Sequence, residues 1–501
     1  MESYREQVDE FEENYTSVID QAVIDISKNF DEFFVRKRSD LITLTIKTAV
    51  SMLDGPYNIP TKMQISYDIA NAYSDLRSIS QDDDESHLEK ELYYYRKTLD
   101  IYESNFGGVP SSEEKEATIA RYVAMRAYTN LGNAFRVLGR YIVAIDCYQN
   151  ALLISNDFAM ASLNLSMSLF YYAQLQIKSY EQNYYHHACF YYYEQTSRTR
   201  INLENEQYLE ELRKYIMKFD PSYIENFLKK PLNLPLFQIH DPTEIDYRNY
   251  ILMSRLFLEP CLEILSAPCF AVDSLTLPIA ANEEPHNREF IGLFNQIKQE
   301  YNLARYLWYR ASATEEDLAH FSDNELDLVD TGDNADFSLQ EGLLRTAFKS
   351  IYSVFDRIGF FINAYFHVGL TDTKISFKNV WKDVLRDEKG SIIFQIPNPI
   401  VSTYKHNPLI KAMFWLQKDF FENRSINITD PCAEPIFQMR NDMEHNCLRS
   451  GTQTYHVDFT KYTTKGKIEN NTYKLLRLAR ELIIYLCLAI AFENRWKQNN
   501  A

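Results

Sequence analysis

Glycine is scarce in this chain, at 13 of 501 residues. Few tight turns are available, and together with long helical periodicity this points to an α-rich protein. Cysteine is sparse and scattered. The seven residues (Cys147, Cys189, Cys261, Cys269, Cys432, Cys447 and Cys487) are odd in number and form no CxxC pair. That argues against a disulfide framework or a zinc site and suits a reducing cytoplasm. Long apolar runs are missing too. The longest, Leu482 to Phe492, is too short to cross a bilayer and reads as a buried helix, so no membrane role is expected. The opening MESYREQVDEFEENY is acidic and polar, unlike a signal peptide, and a cytoplasmic location is expected. There is no P-loop, no HExxH and no dense carboxylate cluster. A metal nuclease or NTPase therefore has little support, and neither cofactor nor metal is expected.

Net positive charge is lacking as well. The balance of -18 argues against non-specific nucleic-acid binding by the whole chain. The charge is uneven, however. Residues 341–501 hold 22 Lys and Arg against 16 Asp and Glu, while residues 1–340 hold 30 against 54. Only the C-terminal third has a charge suited to a phosphate backbone. Hydrophobic residues make up 46%, enough for real cores, and the length predicts two or three domains. The 36 Tyr and 31 Phe read as packing between helices.

Residues 1–60 read as N-terminal helices without recognisable chemistry. The first clear pattern is AYTNLGNAFRVLGRYIVAIDCYQNALLIS, from Ala127 to Ser155. Leu131, Gly132 and Phe135 sit on one helix, Ala144, Tyr148 and Ala151 on the next, with a turn at Gly139-Arg140 between them. This spacing resembles the tetratricopeptide (TPR) repeat, in which small residues let two antiparallel helices approach closely. Weaker echoes stand upstream (Ile69, Ala70, Tyr73; Leu92, Tyr95, Leu99) and downstream (Ala161, Leu165, Leu169). They predict TPR-like repeats over 61–218, with an acidic loop at SISQDDDESH. Such stacks offer a concave surface to a protein or peptide ligand, or serve as a rigid spacer. His186-His187 lacks a carboxylate or Cys partner at i+4 and reads as packing. Residues 219–285 form a proline-rich junction, with Pro221, Pro231, Pro235 and Pro242 among its breakers.

From 286 to 501 the chain reads as a helical bundle. Helices are expected at about 287–309, 340–368, 408–421, 435–450 and 471–496. The second is apolar on nearly every side and belongs at the centre; Asp356 and Arg357 interrupt that surface. In the fourth, PIFQMRNDMEHNCLRSG, Pro435 is placed to start the helix and Gly451 to stop it. At about 100° per residue, Met443 and Cys447 fall within about 20° of Ile436 and form the core stripe, with Met439 at its edge. Arg440 lies about 40° away and is expected to be partly buried, which requires a partner: Glu444 at i+4, or Asp356 at long range. Asn441 and His445 project together on the far side.

The run Arg440-Asn441-Asp442-Met443-Glu444-His445 resembles the R-x4-6-H signature of HEPN ribonucleases. SVFDRIGFFINAYF resembles the early HEPN helix with its acidic residue, here Asp356. KAMFWLQKDF and NQIKQEYNLARYLWY fit a prokaryotic branch in which a TPR-like region precedes a C-terminal HEPN domain. The resemblance implies an all-α protein: TPR-like repeats followed by a HEPN-type bundle. It implies a metal-independent endoribonuclease in which the ribose 2′-hydroxyl attacks its own phosphate, leaving a 2′,3′-cyclic phosphate. Arg440 and His445 become the catalytic pair, with Asn441, Glu444 and Asp356 in support. It further implies a homodimer through the HEPN domain, an RNA substrate such as tRNA, and a toxin or anti-phage role regulated by the repeats. The rival reading is a non-catalytic scaffold, with the repeats binding protein and the bundle serving only to dimerise.

Overall fold

In the computed structural model, the described residues are 11–80, 85–107, 114–198, 229, 240–259, 273–279, 285–312, 321–330, 332–386, 389, 392–397, 399–420, 429–451 and 460–500. The fold is all-α, with two small two-stranded sheets among the described residues. It divides into two compact units. The first comprises the described residues of Met1–Gln174, Tyr185–Pro231 and Phe421–Pro431. The second comprises those of Leu175–Tyr184, Leu232–Phe420 and Cys432–Ala501.

The first unit is built from α1 (Gln21–Val35), α2 (Ser39–Met52), α3 (Ile59–Ser80), α4 (Glu85–Phe106), α5 (Lys115–Val137), α6 (Tyr141–Ile154) and α7 (Ala159–Leu175). Successive helices pack as pairs, α3 on α4 and α5 on α6, and α1 and α2 pack against α3. The residues before 60 are thus not set apart from the helices that follow. At the α5–α6 turn Gly139 takes φ 75°. Gly139 N–H donates to Arg136 O and Arg140 N–H to Phe135 O, which satisfies the last carbonyls of α5 in the Schellman manner. A Cβ on Gly132 would stand 2.6 Å from Tyr148 Cε1, so glycine sets the close approach of α5 and α6. His186, on α8 (Ser179–Arg198), lies against the rings of Phe170 and Phe190, a packing role. Part of the expected acidic loop (81–84) and most of the proline-rich junction lie outside the described residues; α9 (Pro242–Met253) falls within the latter.

The second unit centres on α10 (Pro285–Ala311), α11 (Leu339–Tyr365), α12 (Pro408–Gln417) and α14 (Lys465–Asn500). Helix α11 is the expected central helix: Leu344, Phe348, Ile351, Phe355, Ile358 and Ile362 are all buried. Leu482 to Ala491 is buried without interruption inside α14. Among the described residues no helix is long and apolar enough to cross a membrane. Strands β1 (Lys382–Arg386) and β2 (Ile392–Pro397) pair antiparallel.

One expectation is corrected. The motif helix, α13, spans Ala433–His445 and does not continue to 450. Asn446 turns extended (φ -125°, ψ 173°) and caps the helix. The next residues form β3 (Cys447–Ser450), which pairs in parallel with β4 (Thr460–Thr463). Cys447 is consequently exposed and lies outside the core stripe, which is Ile436, Met439 and Met443. Gly451 does not stop a helix; its Cα passes close to backbone at Asp333, where a Cβ would stand 2.7 Å from the carbonyl oxygen. The partner strand lies ten residues on, so helical phase alone extends the helix too far.

Candidate functional site

Helix α13 is held on two sides within its unit. Toward α14, Asn471 Nδ2 donates to Met439 Sδ at 3.5 Å and Lys474 Nζ to Cys432 Sγ at 2.6 Å. Toward α11, the Arg440 guanidinium carbon lies 4.6 Å from the centroid of the Tyr352 ring. Arg440 is half-buried, as its phase predicts. Its Nη2 stands 3.4 Å from Glu444 Oε2, so the local carboxylate is its ion-pair partner. Arg440 Nε is shielded from solvent and finds no acceptor among the described residues. A guanidinium fixed on a ring, with donors not all engaged, is prepared to grip an oxyanion.

His445 is the last residue of α13, and its side chain is 72% exposed. Its Nε2 lies 3.9 Å from Glu444 Oε2. Arg440 and His445 thus meet the same carboxylate oxygen. Helical phase set them on different faces, but the length of the arginine and the terminal place of the histidine bring both to Glu444. Asn441 is half-buried on the same helix.

Asp356, on α11, accepts a long hydrogen bond of 3.4 Å from Phe377 N–H. Asp356 keeps an exposed face, yet desolvation by the surrounding chain pushes its carboxyl above the ordinary carboxylate range; the Phe377 N–H, Arg440 and Lys378 oppose that push, and Glu444 adds to it. Burial likewise raises the Tyr352 phenol, with Arg440 opposing and the Asp356 and Glu444 charges reinforcing. Tyr352, Asp356, Arg440 and Glu444 therefore form one electrostatic cluster. Tyr352 and Lys378 were not anticipated as site residues. Tyr352 stands four residues before Asp356 on the same helix face, a spacing visible in the sequence once Asp356 is singled out.

Residues 281–493 match the family model described as LA2681-like HEPN. The match supports a C-terminal HEPN domain. Arg440 to His445 fall inside the matched stretch, as do Tyr352, Asp356 and Lys378. No curated protein matches the chain, and no solved structure matches it.

Proposed function

We propose that the HEPN domain is a metal-independent endoribonuclease. The observation that carries this is the meeting of Arg440 and His445 at Glu444, the first anchored on Tyr352 and the second open to solvent. Histidine ordinarily titrates near neutral pH and can take the proton from a ribose 2′-hydroxyl. Attack of that oxygen on the adjacent phosphorus breaks the bond to the 5′-oxygen, which receives a proton back from the histidine, leaving a 2′,3′-cyclic phosphate and a 5′-hydroxyl. Arg440 offers a planar fork of donors to the phosphate as negative charge builds. Asn441 positions His445 or binds the phosphate. Glu444 and Asp356 orient the arginine.

In this reading two HEPN domains dimerise so that both motifs line one cleft. The N-terminal helices are TPR-like and regulate the nuclease, with a protein or peptide as their ligand. The biology is that of a toxin or anti-phage effector cleaving tRNA or other host RNA in the cytoplasm. The support for the repeat assignment is the α5–α6 hairpin, whose close approach needs Gly132.

The test is RNA cleavage by the full chain beside His445→Ala, with bacterial growth on expression as a second readout. Loss of cleavage by about 10²–10⁴-fold in a variant with an unchanged thermal melt is expected. A well-folded His445→Ala protein that cuts at the parent rate would overturn the proposal, and no cleavage by the parent itself would leave the scaffold reading.

A further inference from the structure

We infer that Lys378 and Phe437 extend the motif into a subsite for single-stranded RNA, Lys378 holding a backbone phosphate and the Phe437 ring stacking on an unpaired base. The inference rests on the nuclease reading and assigns it substrate contacts outside the motif. Phe437 precedes Arg440 by three residues and Asn441 by four, so the three share one face of α13. Lys378 Nζ lies 5.4 Å from the Phe437 ring centroid. Arg440 lies over Tyr352 at 4.6 Å. Two cations and two half-buried rings therefore occupy neighbouring places beside the motif. Asp356 links the pairs, since both Arg440 and Lys378 act on its carboxyl. On α11, exposed Lys349 stands one turn before Tyr352 and continues the basic side.

The position of Lys378 is set by packing. A Cβ on Gly359 would stand 2.6 Å from Phe377 N, so α11 and this segment touch backbone to backbone. The Phe377 side chain is buried beside it. Lys378 is thereby presented from a fixed base. Rings alternating with cations suit single strands: any base can stack on a ring, and each cation can meet a phosphate. A duplex hides its base faces in its own stack, so these rings would gain little from it.

The test uses the full-length His445→Ala protein, which separates binding from cleavage, and a fluorescent oligouridine titrated at several salt concentrations. Adding Lys378→Gln should lower the slope of log K against log salt by about 0.7. Adding Phe437→Leu, which keeps an apolar side chain but removes the flat ring, should weaken binding about five-fold or more. A duplex of the same length should not respond to Phe437→Leu. An unchanged slope and unchanged affinity in the two variants, with thermal melts like the parent's, would overturn the subsite while leaving the nuclease reading standing. No RNA binding by the His445→Ala parent would remove the nuclease reading, and the subsite with it.

Discussion

Arg440 is shared between a ring and a carboxylate: its guanidinium carbon lies 4.6 Å from the Tyr352 centroid and its Nη2 3.4 Å from Glu444 Oε2. A phosphate arriving at this arginine competes with Glu444 for the same donors. The carboxylate also repels it.

Glu444→Gln is therefore expected to raise RNA affinity several-fold. Both partners of the ion pair are about one-third exposed, so loss of the pair should change stability by about 1 kcal/mol or less. Fluorescence binding and a thermal melt read the two effects separately. Weaker binding in Glu444→Gln would show that the orienting role of the carboxylate outweighs its competition with the phosphate.

Arg440→Lys keeps the charge and loses the planar fork. Cleavage should fall sharply while the salt dependence of binding stays near the parent's, because a bidentate site does not accept lysine as an equivalent. Arg440→Ala should lose cleavage and also lower the salt slope. Its melt should drop only slightly, since a cation–π contact of this kind contributes about 0.5–1 kcal/mol. Equal cleavage by the parent and the lysine variant would rule out bidentate recognition.

Gly359→Ala tests how the bundle supports the site. The added methyl meets backbone at Phe377 N and Ser376 C, which cannot swing aside as a flexible side chain would. Destabilisation of about 1–3 kcal/mol is expected, with weakened RNA binding because Lys378 follows directly. Urea unfolding and RNA titration of the same preparation check both. A variant as stable as the parent would contradict the close approach of α11 to this segment.

Asp68, in the first unit, gives a stability prediction with a pH signature. It accepts hydrogen bonds from Ser27 Oγ and Gln64 Nε2, yet burial pushes its pKa up to about 7. The unfolded value is about 3.9. The folded state therefore binds the proton more tightly, and this contribution is fully present below pH about 4 and lost as pH rises through about 7. Asp68→Asn should stabilise the protein at pH 8 and do little at pH 4. Melts across that range decide it, and a variant less stable than the parent at pH 8 would sink the argument.

Helical periodicity was enough to place α10, α11, α12 and α14, because each carries an apolar stripe or run long enough to identify its own type. The partial burial of Arg440 followed from its phase against Ile436, and its pairing with Glu444 from i+4 spacing. Strand β3 was not legible. Cys447 sits in helical phase with Ile436, and only the non-local partner Thr460–Thr463 draws the chain out of the helix. Tyr352 was hidden for a different reason: among so many aromatic residues, a ring that carries a guanidinium resembles one that fills a core. Lys378 depends on a backbone approach at Gly359 that no local pattern records.

The chain path also bears on synthesis. Arg96, on α4, donates from Nη1 to Thr429 O at 2.8 Å, 333 residues away along the chain, and Thr429 is fully buried. Both residues belong to the first unit, and Cys432, at the start of the motif helix, belongs to the second. A ribosome building this protein from its N-terminus makes every helix of the first unit early, yet that unit stays one piece short until the chain has grown past residue 430. Closing so long a loop is intrinsically slow. The first unit thus reaches its final form only as the Arg440–His445 helix itself is being made, and the nascent chain cannot complete one without having reached the other.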